Sequence, residues 1–229
     1  MMNKVLHLPG KVSFRLLRHG LIDTLRWGWS HVSYRYREWQ LKIETDAWIE
    51  AHDLGFNEEC HGYEPISFAS FDSVTDYLDI EPDKEVFLDY GCGKGRAIVL
   101  AAVHPFRKVI GVELSESLCE VARDNIKKSR PKLKCRNVEI VCCDATQYDI
   151  PDDVSVIFIW NSFTGSILQK VHQNIQNSIV DNPRKLTILN GVPHGERNMM
   201  DGLDWLPEGF LLPSKFFTGV DIFAYELRT

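Results

Sequence analysis

The fold of this chain is decided by a short run of sequence, Val86-Phe-Leu-Asp89-Tyr-Gly91-Cys-Gly93-Lys-Gly95-Arg96. The apolar residues from Val86 to Tyr90 predict a buried strand, and the small residues after Gly95 predict a helix. The three glycines between them let the backbone approach a ligand closely, because glycine has no side chain and adopts positive φ. A strand, a glycine loop and a helix in this order are typical of a cofactor site at the carboxyl edge of a parallel sheet.

The spacing of the glycines indicates which cofactor binds. A dinucleotide loop has the pattern GxGxxG, but Arg96 stands where its third small residue belongs, which disfavours a nicotinamide-dependent oxidoreductase. GxGxG with an acid two residues before it resembles the loop of class I S-adenosylmethionine (SAM) methyltransferases. Asp89 suits this cofactor, because SAM carries an ammonium and a sulfonium where a dinucleotide carries phosphates. A structural turn is the alternative interpretation of the loop.

Carboxylates follow the next two predicted strands. Glu113 ends Lys108–Glu113, where an acid accepts hydrogen bonds from ribose hydroxyls. Asp144 follows Val138–Val141 and could accept from the adenine amino group, with Ala145 close to the ring; Asp149 is a rival. We therefore expect the cofactor to be SAM, bound by Asp89, Gly91, Gly93, Gly95, Glu113, Asp144 and Ala145.

From residue 85 onward, short apolar runs alternate with amphipathic ones, which predicts βα units around a parallel sheet. Helices are expected from Gly95 to Val103, after a cap at Ser115, and from Gly165 to Val180. Two last strands, separated by Pro213 and Gly219, predict an antiparallel pair. The expected fold is α/β, a Rossmann-like class I methyltransferase with a seven-stranded, mostly parallel sheet. Its strands are Val86–Tyr90, Lys108–Glu113, Val138–Val141, Val154–Trp160, Lys185–Asn190, Phe210–Leu212 and Val220–Glu226.

The sequence before residue 85 is helical and aromatic in pattern. It predicts helices at Leu16–Trp29, Trp39–Ile49 and Phe68–Leu78. We interpret residues 1–84 as an N-terminal cap and residues 85–229 as the SAM-binding domain.

The end of the fourth strand is where methyl transfer is expected. Asn161 offers a carbonyl acceptor for an amine N–H, and Phe163 offers a ring face for the developing cation. Positioning can carry most of such a reaction, so we assign these two residues the catalytic role. Alternatively, Asn161 caps the following helix and Phe163 packs in the core.

Three segments resemble a known family in order and approximate spacing: Tyr63-Glu-Pro-Ile-Ser67-Phe68, the loop at Asp89, and Val156-Ile-Phe-Ile-Trp-Asn161-Ser-Phe163. They are similar to the disruptor-of-telomeric-silencing histone lysine methyltransferases, and closer to bacterial proteins of unassigned substrate that share a GCGKGR loop. The resemblance covers roughly residues 60–190. It implies that Tyr63 closes over a SAM pocket lined by Asp89, Gly91, Glu113, Asp144 and Asn161. The family's Tyr-Gly-Glu-Thr is Tyr-Glu-Pro-Ile here, and Phe163 aligns with an alanine, so lysine specificity does not follow directly.

Composition limits the remaining classes. The 229 residues are 44% hydrophobic and 25% charged, ordinary values for a globular protein. Residues 1–45 hold eight Lys/Arg and three Asp/Glu, a net charge of +5, so the remainder of the −6 chain carries −11. This basic arm could dock on its own body, or could bind nucleic acid or another polyanion as part of a non-catalytic adaptor, which is the alternative function. The six cysteines form no CxxC pair, and Glu59-Cys60-His61 has no second ligand pair, so we expect reduced thiols and no metal.

Taken together, these features predict a cytoplasmic SAM-dependent methyltransferase without a membrane span. The acceptor is expected to be an amine, such as a protein side chain. Its identity and the oligomeric state do not follow from the sequence.

Overall fold

The computed structural model describes residues 34–196, 198–213 and 220–228. Residue contacts divide the chain into two units between Leu41 and Lys42. Helix α1, residues 34–41, lies in the first unit, and all elements below lie in the second. The predicted helix Leu16–Trp29 falls outside the described residues. The division into a cap of residues 1–84 and a domain of residues 85–229 stays a prediction.

One sheet organises the second unit. Its strands are β1 (Val86–Tyr90), β2 (Lys108–Glu113), β3 (Val138–Cys142), β4 (Val156–Trp160), β5 (Leu186–Pro193), β6 (Phe210–Leu211) and β7 (Val220–Leu227). They lie in the order β3-β2-β1-β4-β5-β7-β6. The first five strands run parallel, and β7 is antiparallel to both β5 and β6. The predicted seven-stranded sheet with an antiparallel C-terminal pair is confirmed.

Two of the four α-helices of this unit that the structure describes begin at a serine cap. The four are α2 (Phe68–Tyr77), α3 (Arg96–Ala102), α4 (Glu116–Ser129) and α5 (Gly165–Asp181). The Ser115 hydroxyl accepts from Leu118 N at the start of α4, and the Ser67 hydroxyl accepts from Ser70 N at the start of α2. Among the described residues, no helix is long and apolar enough to cross a membrane.

Both faces of the sheet are covered, which explains why all five residues of β1 are buried. Val86, Leu88 and Tyr90 belong to a cluster that includes Leu168, Val171 and Ile175 of α5. Phe87 points to the opposite face. There its ring lies 6.1 Å from that of Phe71 on α2 and 5.5 Å from that of Phe106. Because neither face of β1 is open to water, a ligand can approach this strand at its carboxyl end.

The predicted helix Trp39–Ile49 is wrong beyond Leu41. Lys42 adopts a left-handed φ of 58°, which interrupts helical geometry. Beyond it, backbone groups bond to distant parts of the chain: Glu44 N donates to Asn125 Oδ1 of α4 at 2.9 Å, and Ile49 pairs with Tyr63. These contacts satisfy the backbone without a helix and lay the segment along the body of the domain.

Gly95, the residue before α3, is predicted to matter through packing as well as conformation. It has φ +78°, and a Cβ there would lie 3.0 Å from Ala122 Cβ of α4. Gly55 has a similar φ of +72° with nothing within 4 Å of its Cβ position. Gly55→Ala should therefore lose only the conformational term, about 1–2 kcal/mol of unfolding free energy. Gly95→Ala should lose at least about 1 kcal/mol more, because α3 and α4 must move apart. Urea unfolding measures both, and equal losses would contradict a tight contact between α3 and α4.

Candidate active site

A cavity of about 600 Å³ opens at the carboxyl ends of β1, β2 and β4. The strand order reverses between β1 and β4, the position where sheets of this kind bind ligands. The segment from Trp48 to Ile66 forms the opposite wall. Nine of the predicted site residues line this cavity: Tyr63, Asp89, Gly91, Gly93, Glu113, Asp144, Ala145, Asn161 and Phe163.

The tenth predicted site residue, Gly95, lies outside the lining. It precedes α3 and faces Ala122 of α4, so its small size serves helix packing. Gly91 and Gly93 do border the cavity, both with positive φ. A Cβ would lie 2.4 Å from the Ser162 hydroxyl at Gly91, and 2.4 Å from the Tyr63 ring at Gly93. The loop therefore requires glycine at both positions.

Asp89, near the end of β1, is 2% exposed. Its Oδ1 is buried without a hydrogen-bond partner among the described residues. Burial raises the pKa of this carboxyl well above its usual value, and the nearby Glu113 raises it further. A buried carboxylate oxygen without a partner is costly to the fold, and a cationic group in the cavity would relieve that cost.

Glu113, at the end of β2, is also buried but has partners. Its Oε2 accepts from Gly93 N at 2.8 Å and its Oε1 accepts from Ser115 N at 2.9 Å. Burial raises its pKa, although the hydrogen bonds from Ser115 and Gly93 act in the opposite direction. The carboxylate thus ties the glycine loop to the start of α4 and keeps lone pairs for a ligand hydroxyl.

Asp144 is exposed at the rim, directly after β3. Its Oδ1 accepts from Thr146 N and from Thr146 Oγ1, both at 2.8 Å. Its other carboxylate oxygen has no hydrogen bond to a described residue, and Ala145 lies beside it in the cavity wall. The rival residue, Asp149, is exposed and is not among the lining residues.

Tyr63 and Arg96 join the wall of the cavity to the glycine loop. The Tyr63 hydroxyl donates to Thr45 O at 2.7 Å, and its ring covers Gly93. Arg96, 2% exposed, donates to Thr45 Oγ1 at 2.7 Å and to Ile66 O at 2.9 Å. Burial lowers the pKa of Arg96 to about 9, which still leaves the guanidinium charged at neutral pH. Both side chains hold the segment around residues 45–66 against the loop.

Asn161 and Phe163 follow β4 in a loop that pairs with residues 59–61. Asn161 has φ 45°, an uncommon conformation for a residue other than glycine. Asn161 does not cap α5. Glu59 does so instead, because its Oε1 accepts from Ser166 N at 3.1 Å. Phe163 is buried, bridges to Cys60, and its ring lies 6.5 Å from that of Tyr90. Phe163 therefore belongs to the core and borders the cavity at once.

His61 lines the cavity, but the sequence predicts no role for it. It belongs to the Glu59-Cys60-His61 triplet, for which no metal is expected. Its Nδ1 lies 2.8 Å from Asn161 O, and its backbone N donates to Ser162 O at 3.0 Å. The sequence also predicts no site role for Arg96, the last residue of the GCGKGR loop, or for Ser162, whose hydroxyl donates to Tyr90 O at 2.8 Å. Each has its partners far away in sequence. Among the described residues, no three His, Cys, Asp or Glu side chains are grouped as a metal site.

Residues 87–180 match a family model described as "Methyltransferase domain". Over these residues the chain is similar to methyltransferase domains. No curated protein matches the sequence. Two solved structures share the fold over most of their length. An RNA methyltransferase from Salinibacter ruber, in complex with S-adenosylhomocysteine, is 18% identical, with 71% of this chain and 93% of that one covered and a TM-score of 0.54. The methyltransferase domain of bacterial CtHen1 is 16% identical, with coverages of 69% and 98% and a TM-score of 0.52.

A third structure matches less of its own length. It is a SAM-dependent methyltransferase from Geobacter sulfurreducens with S-adenosylhomocysteine, 22% identical over 57% of this chain and 50% of that one, with a TM-score of 0.44. At these identities the likeness shows the fold. The predicted class I fold and methyltransferase class are confirmed, and the predicted cofactor agrees with the ligand of the Salinibacter ruber complex. The resemblance to the histone lysine methyltransferases and the roles of individual residues stay predictions.

The burial of Asp89 predicts a specific dependence of stability on pH. The pKa of Asp89 is higher in the folded state than in the unfolded chain, where it is about 3.9. At pH values above about 3.9 the folded state therefore binds more protons than the unfolded state. Stability should fall as pH rises from there toward the folded pKa. Asp89→Asn has no carboxyl to titrate at this position, so it should not lose stability in this way as the pH rises. The variant should unfold at a higher urea concentration than the parent at pH 7 but not at pH 3.5.

Asp144→Asn is the matched control, since this carboxyl is exposed and asparagine can still accept from Thr146. Its stability should follow that of the parent at both pH values. An Asp89→Asn variant less stable than the parent at pH 7 would contradict an unsatisfied carboxyl at this position.

Proposed function

We propose that this chain is an N-methyltransferase that moves the methyl group of SAM to the nitrogen of a cationic amine. The charge of the cavity is the observation that carries the proposal. Among the described residues, five in the lining bear carboxyls and Arg96 is the only Lys or Arg. Arg96 is buried and donates to Thr45 Oγ1 and Ile66 O. Such a cavity attracts cations and repels phosphates.

The lining residues fit the cofactor in three places. Asp89 Oδ1, which is buried without a hydrogen-bond partner among the described residues, would bind the ammonium group of SAM. Glu113 would accept from the ribose hydroxyls, and the open oxygen of Asp144 would accept from the adenine amino group beside Ala145. Gly91 and Gly93 border the cavity and let Ser162 and the Tyr63 ring pack closely against the loop. When bound, SAM supplies an electrophilic methyl group.

The rest of the lining suits the acceptor. Glu50 and Glu64 are exposed carboxylates at the outer wall, away from the ends of the strands. Trp48 donates from Nε1 to Glu50 Oε1 at 2.9 Å, which holds an exposed indole in place beside a negative charge. Aromatic faces and carboxylates together bind alkylammonium groups. Asn161 and Phe163 border the cavity between this wall and β4, as expected for groups that orient the amine.

Calorimetry with S-adenosylhomocysteine tests the cofactor site. The ammonium of the ligand should lower the raised pKa of Asp89, so binding should be coupled to the release of a proton. Titrations in two buffers of different ionisation enthalpy should report this release. Asp89→Asn should abolish the release and weaken binding by roughly 10- to 100-fold, the value of a hydrogen bond to a charged group.

Asp149→Asn, at an exposed residue outside the lining, should bind like the parent. If the parent fails to bind, or if Asp89→Asn binds with unchanged affinity, the proposed site is wrong.

Transfer of a labelled methyl group from SAM tests the acceptor. An octapeptide with one lysine among glycines and serines should be methylated. The same peptide with Nε-trimethyl-lysine should not, because it keeps the charge but has no lone pair. Replacing both outer carboxylates, as Glu50→Gln and Glu64→Gln, should raise KM for the peptide roughly tenfold with little change in kcat, since they meet the charge and not the reacting nitrogen. Methylation of transfer RNA in place of the lysine peptide would overturn the amine assignment.

A further inference from the structure

Among the described residues, His61 is the only histidine in the cavity lining, and two hydrogen bonds hold it. Its backbone N donates to Ser162 O at 3.0 Å, and its ring Nδ1 lies 2.8 Å from Asn161 O. Both acceptors belong to the loop that follows β4, where methyl transfer is expected. The imidazole is therefore fixed relative to that loop from both its backbone and its ring.

The partner of Nδ1 determines the tautomer of the neutral ring. A backbone carbonyl only accepts hydrogen bonds, so Nδ1 must carry the proton. Nε2 is then left with a lone pair, and no described residue donates to it or accepts from it. His61 is half-buried in the cavity wall. A neutral imidazole held in this way is prepared to accept a proton.

The proposed reaction needs such an acceptor. An alkylammonium has no lone pair, so it must lose a proton before its nitrogen can attack a methyl group. Among the described residues, none of the five lining carboxyls is hydrogen-bonded to the loop after β4, whereas His61 is. Asp89, Glu113 and Asp144 line the proposed cofactor region, and Glu50 and Glu64 lie at the outer wall, where partial burial raises the pKa of Glu64. Burial also raises the pKa of the Cys60 thiol.

We propose that His61 is the general base of the reaction; this inference rests on the proposed amine methylation. Nε2 takes one proton from the ammonium and leaves a neutral amine. The lone pair of that nitrogen then forms a bond to the methyl carbon as the carbon–sulfur bond breaks, and the electron pair of the broken bond stays on sulfur. The proton passes from Nε2 to water. Asn161 has a double role, since its carbonyl fixes the base while its side chain meets the amine.

Nuclear magnetic resonance tests the tautomer without any methyl transfer. The signals of His61 are assigned as those that disappear in the spectrum of His61→Asn. Long-range ¹H–¹⁵N spectra at alkaline pH should then show a proton on Nδ1 and none on Nε2, in the protein alone and in its complex with S-adenosylhomocysteine. A proton on Nε2 in the neutral ring would overturn the proposal, because no lone pair would remain to act as the base.

Two variants separate catalysis from structure. In His61→Asn the amide nitrogen stands one bond from Cγ, as Nδ1 does, so the hydrogen bond to Asn161 O can persist while the base is lost. Its kcat on the lysine octapeptide should fall about 100-fold or more, with affinity for S-adenosylhomocysteine within about threefold of the parent. His194→Asn, at a surface histidine outside the lining, should keep full activity.

Imidazole provides a further readout. His61→Gly leaves space beside Asn161, and added imidazole should restore part of its kcat in proportion to the concentration of the neutral form. A His61→Asn variant with unchanged kcat would overturn the base and leave the methyltransferase assignment intact. Failure of the parent to bind S-adenosylhomocysteine would instead overturn the proposed function. The two failures are therefore distinguishable.

Discussion

The burial of Asp89 is the constraint on which the rest of the site depends. Its carboxyl lies at the end of a strand that is covered on both faces, and Oδ1 has no partner among the described residues. An isolated carboxyl in such a place opposes folding, so the surrounding structure must hold it there. The aromatic rings of Phe71, Phe87 and Phe158, with centroids 6.0–6.1 Å apart, supply rigid packing beneath it. The unsatisfied oxygen is thus a feature of the binding site that is maintained by the core.

The segment of residues 45–66 covers the carboxyl ends of β1, β2 and β4 and so encloses the cavity. It is attached to the glycine loop through Tyr63, whose ring covers Gly93, and to α3 through the buried guanidinium of Arg96. On the other side, His61 attaches it to the loop after β4. The attachments through Arg96 and His61 include hydrogen bonds to the backbone carbonyls of Ile66 and Asn161, which depend on position more than on the identity of the partner residue.

Local sequence patterns predicted the strands and helices, because these elements depend mainly on residues that are close in sequence. Strand and helix periodicity, with Ser115 as a cap, was sufficient for the sheet and its order of elements, since alternation and capping are short-range properties. Glu113 and Asp144 could be assigned to one site because the carboxyl ends of parallel strands converge. The helix predicted over Trp39–Ile49 failed because Asn125, 81 residues away, pairs with its backbone. His61 and Asn161 are 100 residues apart, and no local pattern indicates their contact. Gly95 shows the converse, a motif residue whose function is packing against Ala122.

The conformation of Asn161 connects the core to the chemistry. With φ 45°, the chain turns as it leaves β4, while Asn161 N still donates to Gly191 O of β5 at 3.2 Å. The turn allows Asn161 O and Ser162 O to accept from the ring and the backbone of the same histidine. An extended residue at this position would point its neighbouring carbonyls in opposite directions, as in any strand. Asparagine tolerates the left-handed conformation better than other side chains do. The residue type at 161 is therefore explained by its backbone as much as by its amide, and the left-handed conformation there is the physical condition for holding His61 against the loop after β4.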